Sequence, residues 1–178
     1  MNKSFRRNRK AVSPVIATII IVAVAIVMSI AVAYWMLGLA GTFTRYEKLE
    51  FTSAYAASVT IDSTSAFNIT FRLKNTGSAP ATLDVIFING IPHYDCGAAL
   101  YNITITKDST NYYYGLNFTS SIGITLNPGE EASGIITLKD GEPIGSGGAG
   151  GTVDSGMTIE VMVQTTAGNQ YPKSVTLP

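Results

Sequence analysis

The residues best equipped for chemistry lie in one short run, Pro92-His93-Tyr94-Asp95-Cys96, which holds the one histidine and the one cysteine of 178 residues. Imidazole, carboxylate and thiol are the donor types of a zinc site. A structural zinc needs four ligands, usually in spaced pairs, and no partner pair exists. A nucleophile working through histidine needs a base and an orienting acid in set roles, and a lone histidine identifies no such order. Gly145-Ser146-Gly147-Gly148-Ala149-Gly150-Gly151 has the glycines of a phosphate-binding loop. It lacks the lysine and the Ser/Thr and follows no strand–helix unit, so it reads as a flexible surface loop. No catalytic residue, metal site or cofactor is expected. His93 and Asp95 read as parts of a loop after a hairpin, and Cys96 as a buried or loop thiol. Glu130, Glu131, Asp140 and Glu142 read as solvated acids in turns.

The remaining chemistry is modification. Asn68-Ile69-Thr70, Asn102-Ile103-Thr104 and Asn117-Phe118-Thr119 match the N-glycosylation acceptor pattern, as does Asn2-Lys3-Ser4 near the start. Asn68 and Asn102 fall on the outward phase of alternating runs, so sugars are expected at Asn68, Asn102 and Asn117. Tyr112-Tyr113-Tyr114, followed by Gly115, is an aromatic cluster suited either to sheet packing or to contacts with other molecules.

These residues need strands to hold them. From about Phe51 the hydrophobic period is two. Phe67, Ile69, Phe71 and Leu73 alternate with Asn68, Thr70, Arg72 and Lys74. Asn75 to Pro80 reads as a turn, Ala81 to Ile88 as a strand, and Asn89-Gly90 as a hairpin dipeptide. Tyr101 to Lys107 alternates with Ile103 and Ile105 inward. Ile122 to Leu126, a turn at Asn127-Pro128-Gly129-Glu130, and Glu131 to Lys139 follow. Met157, Ile159, Val161 and Val163 share one side, and a last strand lies near Val175. Seven to nine short strands predict an antiparallel, immunoglobulin-like sandwich.

Ahead of the strands lies Val12 to Leu39, with twelve Ile or Val residues and no charge between Lys10 and Arg45. That is several times too long for a strand. In hydrocarbon a lone span must satisfy its own backbone, so it must be a helix. Val12 to Tyr34 would rise about 33 Å, close to the roughly 30 Å apolar core of a bilayer. Tyr34 and Trp35 would then lie at the far interface. Ser13-Pro14 suits a helix start. Gly38 to Gly41 is expected to bend or fray it, with helical character reaching about Leu49. Ala17, Ala25, Ser29 and Ala33 recur at multiples of four, the spacing that lets helix backbones approach closely. The whole chain is therefore α+β: leader 1–11, helix 12–49, sandwich 50–178.

Charge adds orientation. Lys3, Arg6, Arg7, Arg9 and Lys10 precede the helix, while all twelve acids follow Tyr46. The positive-inside tendency keeps the leader cytoplasmic and sends the rest outward. Beyond the leader, seven basic residues face twelve acidic ones, a net of −5 that argues against nucleic-acid binding. A lone cysteine excludes an intrachain disulfide. A cut at Ala31-Val32-Ala33 would instead release a soluble domain.

Arg9-Lys10-Ala11 followed by Val12-Ser13-Pro14-Val15-Ile16 and a long Ile/Val/Ala helix resembles the N-terminus of archaeal type IV pilins. The resemblance covers roughly residues 6–40. It implies a cut between Ala11 and Val12 by a prepilin peptidase, with Lys10 and Ala11 before the bond, and a helix retained in the mature subunit. Bacterial pilins usually carry glutamate at the fifth mature position; here it is Ile16. The resemblance further implies an assembly ATPase and membrane platform as partners, a membrane-held precursor, and a homopolymeric surface filament used in adhesion. Archaellins share the leader type but generally lack the Ser-Pro-Val start, and are the alternative. So is a membrane-anchored surface binding domain that never polymerises.

Overall fold

A computed structural model describes residues 13–43, 45–115 and 121–178. Two compact units result, one holding the helix and one formed by residues 45–178.

The helix, α1, spans Pro14–Phe43. The Ala17 amide donates to the Ser13 carbonyl at 3.1 Å, closing the first turn where proline has no amide to lose. Two hydroxyls that would otherwise be unpaired in an apolar setting bond backward along the helix. Thr18 Oγ1 donates to the Val15 carbonyl at 2.8 Å, and Ser29 Oγ to that of Ala25 at 2.7 Å. The fraying expected at Gly38–Gly41 does not occur, because α1 runs through both glycines. Each glycine costs a helix only about 1 kcal/mol, and a long unbroken run of apolar neighbours carries it past them. Helical geometry ends at Phe43, short of Leu49, which is instead the first residue of a strand.

The second unit is a two-sheet antiparallel sandwich. Its strands are β1 Leu49–Ile61, β2 Thr64–Asn75, β3 Ala81–Ile88, β4 Ile91–Pro92, β5 Leu100–Lys107, β6 Thr110–Gly115, β7 Ile124–Leu126, β8 Glu131–Lys139, β9 Thr158–Thr165 and β10 Gln170–Thr176. One sheet has the order β1-β2-β8-β5-β6; the other has β10-β9-β3-β4, with β7 also on β3. The alternating runs bury their apolar phase. Ile69, Phe71 and Leu73 of β2, Ile103 and Ile105 of β5, and Ile136 and Leu138 of β8 meet Leu83, Ile86 and Ile88 of β3 and Ile159, Val161 and Val163 of β9. Each such side chain contributes roughly 1.5–3 kcal/mol by leaving water. Gly134 of β8 faces this core directly beneath the Phe71 ring, where a Cβ would sit 2.2 Å from Phe71 Cζ.

Three two-residue hairpins set the registers, at Asp62-Ser63, Asn89-Gly90 and Asp108-Ser109. Both central residues have positive φ in each (49° and 66°, 49° and 80°, 50° and 64°), as the twist-compatible type I′ turn requires. The third hairpin creates β6, a strand the alternation does not announce, so the described residues contain ten strands where seven to nine were expected.

The stretch just before β1 is tightly held. Tyr46 and Lys48 carbonyls accept amides from Thr76, Gly77, Ser78 and Ala79 in the β2–β3 turn, and the Tyr46 amide donates to Ser78 Oγ at 3.1 Å. From the other sheet, Thr165 Oγ1 and Asn169 Nδ2 donate to Glu47 Oε2, and the Tyr171 hydroxyl to the Glu47 carbonyl. Gly77 makes room for this: a Cβ there would lie 2.5 Å from the Tyr46 carbonyl oxygen. Asn75 completes the turn from inside, its Nδ2 donating to the Ala79 and Leu126 carbonyls and its Oδ1 accepting the Gly77 amide.

The glycine run at 145–151 is a folded turn rather than a flexible loop. It closes on itself through Ile144 N–H to the Gly151 carbonyl, Gly150 N–H to that of Ile144, and Gly145 N–H to that of Cys96. Ile144 is fully buried beneath it, and a Cβ on Gly150 would approach Ile144 Cγ2 to 2.8 Å. Gly150 is needed for this close packing, and Gly145, Gly147, Gly148 and Gly151 for their positive φ.

Candidate assembly surfaces

On α1, every position from Ser13 to Leu39 is exposed apart from the half-buried Ala17. Pro14–Leu39 forms a 26-residue apolar span whose most apolar 18-residue stretch has a mean hydropathy of 3.1. At 1.5 Å per residue it measures about 39 Å, long enough to cross a bilayer with some tilt. A helix apolar on every side needs lipid or other helices around it. Ala17, Ala25, Ser29 and Ala33 lie along this span, and the backward bond of Ser29 lets its hydroxyl enter an apolar contact already satisfied. Successive positions four apart advance about 40° around a regular helix. Ala25, Ser29 and Ala33 thus subtend about 80°, a workable contact strip, while Ala17 lies further round. Lys10, Ala11 and Val12, where a leader cut is expected, lie outside the described residues.

On the sandwich, both described sequons occupy the outer face of the first sheet. Asn68 pairs across with Ala57 and Thr137, and Asn102 with Thr137 and Gly115, so the two acceptors share one cross-strand row. Both are half-buried, and Asn68 Oδ1 accepts a 2.8 Å bond from Thr137 Oγ1. Neither is on a protruding loop. Asn117 lies outside the described residues. The next row runs Tyr55, Thr70, Ile135, Thr104 and Tyr113, of which Tyr55, Ile135 and Tyr113 are exposed.

The tyrosine triplet divides its work. Tyr114 is buried and its hydroxyl donates to the Ile122 carbonyl at 2.9 Å, pinning β6 to the chain beyond it. Tyr113 is 72 % exposed on the outer face. Tyr112 is exposed as well.

The His-Asp-Cys run holds packing roles. His93 is buried, with its Nδ1 accepting the Ile86 amide at 3.4 Å and its ring edge-on to Tyr94 at 5.3 Å. Cys96 is a free, buried thiol pointing at the Ile91 and Pro92 carbonyls. Burial, helped by the Asp95 charge, pushes its pKa up to about 12, so the nucleophilic thiolate is suppressed. Asp95 is exposed. Among the described residues no group of three or more His, Cys, Asp or Glu side chains is placed to hold a metal ion.

Sequence reasoning missed two features. The hydrogen-bonded stretch at 46–48 has no signature beyond scattered polar residues. The edge strand β6 is obscured because three consecutive tyrosines erase any alternation, although Asp108-Ser109 is a weak turn signal.

No family model matches the chain, and no curated protein sequence does. Solved structures similar to it include the archaellum periplasmic stator protein FlaG from Sulfolobus acidocaldarius (14% identity, covering 72% of this chain and 99% of that one, TM-score 0.33). They also include the archaeal flagellum of Methanospirillum hungatei strain JF1 (19% identity, 93% and 94% covered, TM-score 0.39). The putative ApaA protein from Bordetella pertussis has a comparable likeness (17% identity, 76% and 98% covered, TM-score 0.35).

Proposed function

We propose that this chain is a structural subunit of an archaeal type IV pilus, polymerising through α1 into a surface filament. One observation carries the reading: a helix with a 26-residue, charge-free span, exposed around its circumference, precedes a separate two-sheet domain. The pattern Arg9-Lys10-Ala11-Val12-Ser13-Pro14 supports it independently, by resemblance.

The precursor sits in the membrane with its basic leader inside and its sandwich outside. A prepilin peptidase cuts after Ala11. The leader's five positive charges would each resist apolar surroundings by a few kcal/mol, so assembly follows their removal. The helix then moves from lipid into a bundle of identical helices. That exchange is apolar for apolar, so the hydrophobic effect supplies little drive. Close packing at small residues, contacts between sandwiches and an ATP-driven assembly motor supply the remainder. The sandwiches coat the filament and meet surfaces, carrying sugars at Asn68, Asn102 and Asn117. Because Asn68 and Asn102 sit within a formed sheet, their modification precedes folding.

Two measurements test this. Electron microscopy of cells deleted for this chain should lose a class of surface filament that returns on complementation; unchanged filaments would oppose the reading. Intact-mass analysis of the native protein should exceed the bare polypeptide mass, and Asn102→Gln should remove one glycan's worth; a bare mass would reject the sugars while leaving the filament proposal standing.

A further inference from the structure

The two sheets protect their edges differently. In the second sheet, β10 carries Pro172 and Lys173, and β4 and β7 are only two and three residues long. Proline, lysine and brevity all discourage another strand from pairing. The first sheet has fewer of these guards, its one edge charge being Glu50 at the start of β1. Its edge strand β1 is 13 residues long and has neither charge nor proline from Phe51 to Ile61. Its other edge strand, β6, reads Thr-Asn-Tyr-Tyr-Tyr-Gly, likewise without charge or proline. A bulge between Phe51 and Ser53 blunts only the start of β1. β10 of the second sheet packs near β1, and the far half of β1, together with Ser65, Ala66 and Phe67 of β2, borders a groove of about 290 Å³ that Asp140, Ser155 and Pro178 also line.

We propose that β1 of one copy pairs with β6 of the next, joining their first sheets side by side. The occupant of each edge is therefore a second copy of this chain. Two observations favour this pairing over β1 with β1. Every junction in the first sheet is antiparallel, so across the order β1-β2-β8-β5-β6 the direction reverses four times and β1 and β6 run the same way. Copies sharing one direction, as in a polar filament, thus bring β6 beside β1 as a parallel pair without inversion. A β1–β1 pair between such copies would also have to place one edge against its own image, which needs a two-fold axis that a polar filament lacks. Unlike edges, by contrast, form a head-to-tail interface that repeats without closing, the kind that builds open helical assemblies. The inference rests on the filament reading for this common direction.

The pairing fixes which side chains meet. Tyr113 shares its row and outer face with Tyr55, and Ser53 and Ala57 lie on that same phase of β1. Thiols on these positions of adjacent strands fall within disulfide reach. The test co-expresses two differently tagged full-length chains, both Cys96→Ser. One carries Tyr113→Cys and the other carries Ser53→Cys, Tyr55→Cys or Ala57→Cys, with Ser174→Cys on β10 as the control. After mild oxidation of intact cells, at least one combination should give mixed-tag dimers tenfold or more above the control. Surface filaments with no mixed dimer above the control in any combination would overturn the edge pairing while sparing the filament reading. Mixed dimers on cells without filaments would uphold the pairing and remove the filament.

Discussion

Gly134 shows how much a single missing methyl group can decide. It sits in mid-strand, where glycine is ordinarily a weakness, because the Phe71 ring occupies the space a side chain would take. Phe71 is itself fixed, buried and edge-on to Phe51 at 5.8 Å. Gly134→Ala is therefore expected to destabilise the fold by roughly 1–3 kcal/mol, the usual cost of overpacking, measured by thermal or denaturant unfolding. A second residue acts through charge. Glu130 accepts bonds from Lys107 Nζ at 2.7 Å and from the side-chain and backbone amides of Asn127. Lys107 foremost, then Asn127, lowers its pKa from 4.5 to about 2. A carboxyl depressed in the folded state stabilises above its ordinary pKa and loses that contribution as pH falls through the folded value. Glu130→Gln should thus be less stable than the parent at pH 7, and the difference should shrink from about pH 4.5 to about pH 2. A difference constant over that range would show that the ion pair is not its source.

Among the elements, the strands were the most legible and the ends of things the least. Phe67 to Leu73 alternates so cleanly that its burial could be read directly, and Asn89-Gly90 announced its own turn. Where local pattern and long-range contact part company, reading failed. Nothing near Leu49 signals a strand; its helix-compatible neighbours become extended because turn 75–79 and β9–β10 supply partners to residues 46–48. The glycines at 145–151 looked flexible because what orders them is non-local: Gly150 packs on Ile144 and the Gly145 amide bonds the Cys96 carbonyl. Sites were less legible than strands, since His93 and Cys96 look reactive in sequence and are packed away in the fold. Asn75 tests the element scale within the sandwich. Removing its amide orphans buried donors and acceptors, so Asn75→Ala should cost about 1–3 kcal/mol in unfolding measurements. Ser29 tests it within α1. Ser29→Leu keeps the span apolar but fills the strip beside Ala25 and Ala33. Membrane insertion, read by fractionation, should be unchanged while filament yield falls severalfold; unchanged yield would remove this strip from the helix contact.

For the whole molecule, the two units have opposite needs. The sandwich buries its own core and is complete in that respect, whereas the helix leaves its apolar surface to be covered by something else. In the proposed precursor lipid covers it, and in the proposed filament copies of itself do. The proposed function requires that the helix be kept and the cationic leader lost, which is open to direct inspection. The decisive measurement is N-terminal sequencing, with intact mass, of this protein recovered from sheared cell-surface filaments. That chain is expected to begin at Val12 with the helix intact. A chain beginning at Met1, or at Tyr34 after loss of the helix, would contradict it.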